Sequence, residues 1–179
     1  MANIETLLAR NKTISHTPLP YISEIQASGA PPARTLIVTC VDPRCVPEKF
    51  FNLNAGEVGV HRNAGGNIRH ALRDINILDT MFKLEEIAII HHTDCGTTHF
   101  TDEQVRAGLK SHMDKAHWDD IEKMGFEPNT DETSSIEQSV KGDLEWVQAS
   151  PFIREELKKG TRGFVFDIKT GTLEEVKKA

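Results

Sequence analysis

"RTLIVTCVDPRC", Arg34 to Cys45, decides how the rest of the chain is read. Its first half is β-branched and almost continuously apolar, as in a strand covered on both faces of a parallel sheet. Its second half breaks into Cys40, Asp42, Pro43, Arg44 and Cys45. A strand of this kind needs strands beside it and helices over it, and both follow in alternation. "EVGVHRN", Glu57 to Asn63, is a second such run, introduced by the turn "NAGE". "IRHALRDINILDTMFKL" then places Ile68, Leu72, Ile75, Leu78, Met81 and Phe82 at helical spacing. "EEIAIIHH", Glu85 to His92, is the clearest strand, and "DCG" stops it. Thr101 followed by Gln104 has the form of a capping box at the head of the helix "TDEQVRAGL". "SSIEQSVKGDLEWVQAS" reads as a further helix ended by Pro151, and "RGFVFDIKTGTLEEV" as a strand, a Thr-Gly turn and an edge strand. The alternation predicts an α/β fold: a mainly parallel central β-sheet flanked by helices, with right-handed crossovers and an antiparallel C-terminal edge strand.

At 179 residues the chain fits one domain, 1–179, with a core that needs no staples. Residues 111–135 are acidic and carry Gly125, Pro128 and Asn129, so they read as an irregular surface excursion. The formal charge of −6 gives no basic footprint for nucleic acid or an anionic membrane surface. The apolar runs are too short to span a membrane, and "MANIETLLARNKTISH" lacks the apolar region of a signal peptide, so the expectation is a soluble, cytoplasmic protein. Three cysteines, an odd number, suit a reducing compartment in which thiols are free for metal or catalysis.

Open α/β sheets bind ligands at the carboxyl ends of their strands. Cys40 ends one expected strand, His92 ends another, and Cys95 follows three residues later, close enough to grip the same ion from one turn. Two cysteines and one histidine leave the fourth tetrahedral position open, as in catalytic rather than structural zinc sites. Taken alone, Cys40 is more often a buried core thiol than a ligand. His91 and His92 point to opposite faces of a strand, so at most one faces the site; His92 shares the turn with Cys95, which leaves His91 as a packed or hydrogen-bonded residue. His112 and His117, five apart, do not stack on one helix face and read as surface residues. In an extended segment Cys40, Asp42 and Arg44 project to one side, which brings a carboxylate and a guanidinium beside the thiol. A carboxylate held by arginine stays charged and only accepts hydrogen bonds, which suits it to orient a metal-bound water; the plain alternative is an ion pair bracing a loop. "CVDPR" is too short to wrap an oxyanion as a cysteine phosphatase loop does, and Cys45 stands in no C-x-x-C pair with Cys40.

In this order and spacing, "CVDPR" at Cys40 to Arg44, "HRNAGG" at His61 to Gly66 and "HTDCG" at His92 to Gly96 resemble the β-class carbonic anhydrases, over about Thr35 to Thr98. The form "HHTDCG" and the short chain look like a small-subunit subgroup that includes carbonyl sulfide hydrolase-like members. The resemblance implies Zn²⁺ held by Cys40, His92 and Cys95, with Asp42 and Arg44 as the catalytic pair. In part of that family the aspartate moves to the metal at lower pH, which makes Asp42 a possible fourth ligand in a closed state. The resemblance also implies a homodimer or higher homo-oligomer, in which an N-terminal helical arm, residues 1–33, packs on the partner through "IETLLARN". Pro43, Cys45 and Gly59 depart from the residues common there.

The activity implied is reversible hydration of carbon dioxide to bicarbonate through a zinc-bound hydroxide. The alternative with the same site is hydrolysis of carbonyl sulfide or carbon disulfide. A third reading, from another class, is a non-catalytic zinc-binding assembly protein whose fourth position is closed.

Overall fold

The computed structural model describes residues 2–15, 17–126 and 135–177. Two compact units divide at Pro31 and Pro32. The first, residues 1–31, holds α1, Ile4–Thr13, and α2, Ile22–Ser28. Asn3 caps α1 by accepting the Thr6 N–H at 2.9 Å, and Gly29, with φ of 71°, ends α2 in the left-handed conformation a side chain would resist. Neither helix has a buried residue; Ile4, Leu7 and Leu8 of α1 are all exposed.

The second unit is built on the strands β1 (Thr35–Cys40), β2 (Gly59–Asn63), β3 (Glu86–His92), β4 (Thr161–Phe166) and β5 (Leu173–Val176). They form one sheet in the order β2-β1-β3-β4-β5, parallel throughout except for the antiparallel β4–β5 edge, as the sequence reading expected. Because side chains alternate along a strand, the sheet has two apolar faces. On one, Leu36, Val38, Ile87 and Ile89 meet Ile68, Ala71 and Ile75 of the helix Ile68–Phe82 and Val140, Leu144 and Val147 of the helix Ile136–Ala149. On the other, Ile37, Ile90 and Phe166 pack with Cys45, Phe50 and Leu53. Each fully buried Ile or Leu here contributes about 1.5–3 kcal/mol. Between these elements run α3 (Pro47–Phe50), α4 (Ile68–Phe82), α5 (Asp102–Lys110), α6 (Trp118–Lys123), α7 (Ile136–Ala149) and α8 (Glu155–Lys159).

Local signals in the sequence account for most of these boundaries. Thr101 Oγ1 accepts the Gln104 N–H at 3.2 Å and Gln104 Oε1 accepts the Thr101 N–H at 2.9 Å, the reciprocal capping box expected at the head of α5. Val140, Asp143, Leu144 and Val147 form the buried stripe of α7, which stops before Pro151. Met81 differs from the other residues of the apolar stripe expected in α4: it is 59% exposed, whereas Ile68, Leu72, Ile75, Leu78 and Phe82 are buried or half-buried.

The acidic stretch 111–135 is not irregular throughout. Lys115–His117 forms a 3-10 turn capped by Asp114, and α6 follows, with Asp119 and Asp120 in its first turn and Ile121 buried. Arg106 of α5 donates to the Ile121 and Met124 carbonyls, so α6 is held as half of a helical hairpin. Pro128 and Asn129 lie outside the described residues. No helix among the described residues is long and apolar enough to cross a membrane.

Candidate metal centre

Three elements deliver three ligand-type atoms to the carboxyl edge of the sheet. Cys40 is the last residue of β1, His92 the last of β3, and Cys95 stands in the turn after β3, three residues beyond the end of pairing with β4. All three are buried, and one ligand atom from each lies within 4.8 Å of the others. The two sulfurs are 3.8 Å apart. Hydrogen bonding to Cys40 pulls the Cys95 thiol down to about 6, while the same contact, together with burial, pushes the Cys40 thiol up to about 12. The two thiols are thus coupled through this contact, and a thiophilic cation that binds both sulfurs displaces the protons they carry.

The imidazole is prepared in the same sense. His92 Nδ1 lies 2.9 Å from the Thr93 carbonyl, which can only accept, so Nδ1 carries the hydrogen and Nε2 presents its lone pair. Nε2 is buried with no hydrogen-bond partner. A buried acceptor left in that condition is costly unless something else fills it. Two sulfurs and one unpartnered imidazole nitrogen suit a soft or borderline cation such as Zn²⁺.

Asp42 and Arg44 stand beside this cluster, but not by strand alternation. β1 ends at Cys40, and the chain enters a turn closed by the Cys45 N–H on the Asp42 carbonyl at 2.9 Å. Within that turn Arg44 grips Asp42 bidentately: Nε donates to Oδ1 at 3.0 Å and Nη2 to Oδ2 at 2.8 Å, while the Arg44 backbone N–H adds a third contact at 2.8 Å. These bonds from Arg44 hold the Asp42 carboxyl down at about 2. Asp42 Oδ2 lies 3.9 Å from His92 Nε2. Asp94, with φ of 54°, holds the far side of Arg44 through Oδ2 at 2.7 Å and its carbonyl at 2.8 Å.

Other residues play parts that spacing alone did not reveal. Arg62 of β2 donates to the carbonyls of Cys40 at 3.0 Å and of Asp42 and Cys45 at 2.8 Å each, so one guanidinium ties down the turn from Cys40 to Cys45. Its only signal in the sequence is its place in "HRN". Gly66, in the turn after β2, has φ of 75°, and a Cβ there would sit 3.1 Å from Cys40 N and Thr39 C and 3.2 Å from Ile90 O, all backbone atoms. Glycine is thus needed for both the torsion and the close approach.

Cys45 is no partner of Cys40. It is fully buried, with its sulfur 3.1 Å from Thr39 Oγ1, and belongs to the core of the sheet's second face. His91 lies with its Nε2 3.2 Å from Asp143 Oδ2, which also accepts the Ile68 N–H at 3.0 Å. It is the hydrogen-bonded core histidine that the strand parity expects. His112 and His117 are exposed. Gly59 lines a cavity of about 350 Å³ together with Leu36, Val60, His61, Asp74, Ile77 and Leu78, none of them in the cluster, and a Cβ on Gly59 would sit 3.2 Å from Leu36 Cδ1.

A family model described as carbonic anhydrase matches residues 35–173. Beta-carbonic anhydrase 1 of Mycobacterium tuberculosis is 30% identical over 150 residues, 82% of this chain and 84% of the relative. A carbon disulfide hydrolase of Acidianus is 27% identical over 166 residues, 83% of this chain and 80% of that protein. Among solved structures, a carbonic anhydrase from Streptococcus mutans superposes with a TM-score of 0.73 at 27% identity, covering 99% of both chains.

Proposed function

The chain belongs to the β-class carbonic anhydrase family, and from that premise we propose that it reversibly hydrates carbon dioxide to bicarbonate, with Zn²⁺ held by Cys40, His92 and Cys95. The observation that carries the proposal is the buried, unpartnered His92 Nε2 facing two buried sulfurs. Zinc at such a site is a Lewis acid that can lower the pKa of a bound water from about 15.7 towards about 7. The protein's own residues do the rest. The Thr93 carbonyl fixes the His92 tautomer and ring. Asp42, kept charged by Arg44, can only accept, so it accepts a hydrogen bond from the reacting water and turns an oxygen lone pair towards the carbon of the substrate. Arg44 is itself braced by Asp94, and Arg62 holds the turn beneath both, so the acceptor stays put as charge develops. The mouth, lined by Val41, Ala64, Gly96, Thr97 and Phe100 beside Cys40 and Asp42, is mainly apolar and admits a small linear molecule without hydrogen-bonding it. The anionic product has no such fit to apolar walls and leaves to water, while the proton passes to buffer.

The same apolar mouth, with the carbon disulfide hydrolase among the relatives, supports a second reading: hydrolysis of carbonyl sulfide or carbon disulfide with release of hydrogen sulfide. Stopped-flow rates for carbon dioxide, carbonyl sulfide and carbon disulfide, measured side by side on zinc-loaded protein, separate the two. We expect carbon dioxide hydration to be fastest; negligible hydration beside rapid sulfide release would overturn the first reading in favour of the second. A homo-oligomer and a cytoplasmic setting belong to the same proposal. The exposed Ile4, Leu7 and Leu8 of α1 support the first and three unpaired cysteines the second.

A further inference from the structure

The turn after Cys95 carries two threonines that do different things. Thr98 secures the backbone: its N–H and its hydroxyl both donate to the Cys95 carbonyl, at 3.0 and 2.7 Å. Thr97 is directed at the sulfur. Its Oγ1 lies 3.1 Å from Cys95 Sγ, and the residue is half-buried at the apolar mouth. A thiolate has no proton to give, so when Cys95 is ionised the Thr97 hydroxyl must be the donor. Cys40 has a contact of another kind, the backbone N–H of Asp42 at 3.4 Å, which no side-chain replacement removes. The threonine hydroxyl is therefore an adjustable donor on one of the two candidate ligand sulfurs.

We propose that Thr97 is a positioning residue that sets how much charge Cys95 gives to the metal; the inference rests on Cys40, His92 and Cys95 being the ligands. Two thiolates supply more negative charge to a zinc ion than neutral histidines do, which weakens it as a Lewis acid. A hydroxyl hydrogen bonded to one sulfur draws lone-pair density back from the metal, as hydrogen bonds to sulfur ligands do in other metal centres. The hydroxyl costs the mouth little of its apolar character, because it is engaged with the Cys95 sulfur. Valine has the same shape without the donor, so Thr97→Val isolates the hydrogen bond, and Thr97→Ser keeps the donor while losing the methyl.

The test uses protein reconstituted with Co²⁺, whose thiolate-to-metal charge-transfer absorption reports the energy of the sulfur electrons directly. The hydrogen bond stabilises those electrons, so its loss in Thr97→Val should move the band to longer wavelength at full cobalt occupancy. Thr97→Ala should move it the same way, and Thr97→Ser should leave it at the wild-type position. With zinc, Thr97→Val should slow carbon dioxide hydration about tenfold at neutral pH, with the midpoint of its pH–rate profile moved upward. A Thr97→Val or Thr97→Ala band that superimposes on wild type at full occupancy overturns the proposal, as does a Thr97→Ser protein that behaves like Thr97→Val. Wild-type protein that takes up no cobalt, or shows no thiolate band, overturns the ligand assignment itself.

Discussion

Cys40→Ser, His92→Ala and Cys95→Ser proteins, purified beside the wild type and shown to be folded by circular dichroism, should each carry well below one zinc per chain. Each removes one of three buried donors that lie within 4.8 Å of each other. With only two donors left, the ion loses the chelation that makes its binding strong. Hydration should fall by more than the roughly 10–100-fold typical of changing a residue behind a ligand. Cys45→Ser is the informative contrast. Its sulfur faces Thr39 Oγ1 in the core, so the variant should keep zinc even if it loses some stability. Full zinc in all three ligand variants would show that the metal, if any, sits elsewhere.

Asp42→Asn should separate metal binding from catalysis. The amide keeps the shape of the carboxylate but gives up its charge and one of the two oxygens that receive Arg44 Nε and Nη2. Zinc content should stay at one per chain while hydration at pH 7 falls by about 10–100-fold. The sign of the pH dependence follows from the depressed carboxyl. With its pKa held at about 2 by Arg44, Asp42 is charged throughout the neutral range, and whatever stability the pair adds is present above the ordinary value of 3.8 and lost only as pH falls through about 2. A fall in wild-type rate between pH 8 and 6 is thus not the titration of this carboxyl while Arg44 holds it. The Asp42→Asn profile should be lowered across that range rather than merely displaced. An unaltered rate and profile would remove Asp42 from the reaction.

The parts of the fold that could be read from the chain are those whose signal is local. β3 is a continuous apolar run stopped by "TDCG", and the α5 capping box closes as its two residues dictate. Strand parity separated His91, bonded to Asp143, from His92, and strand ends brought Cys40 to His92 and Cys95. What escaped depends on contacts distant in sequence. α6 has one buried apolar residue, Ile121, and takes its support from Arg106 fifteen residues earlier, so its own composition looks like solvated loop. The reach of Arg62 to three carbonyls is a property of the β1–β2 register, in which Thr39 pairs with Arg62. Asp94 meets Arg44 because its backbone adopts a positive φ in the turn, which residue spacing does not disclose. Strand alternation predicts the nearness of Asp42 and Arg44, but it is a turn, not an extended strand, that pairs them.

The most direct measurement is zinc add-back. Protein stripped by a chelator is titrated with zinc while stopped-flow hydration of carbon dioxide is followed at fixed pH. Hydration should be absent from the stripped protein, rise in proportion to added zinc and level off at one equivalent per chain. Hydration that survives full removal of the metal, or a fully loaded protein that hydrates no carbon dioxide, would contradict the assignment.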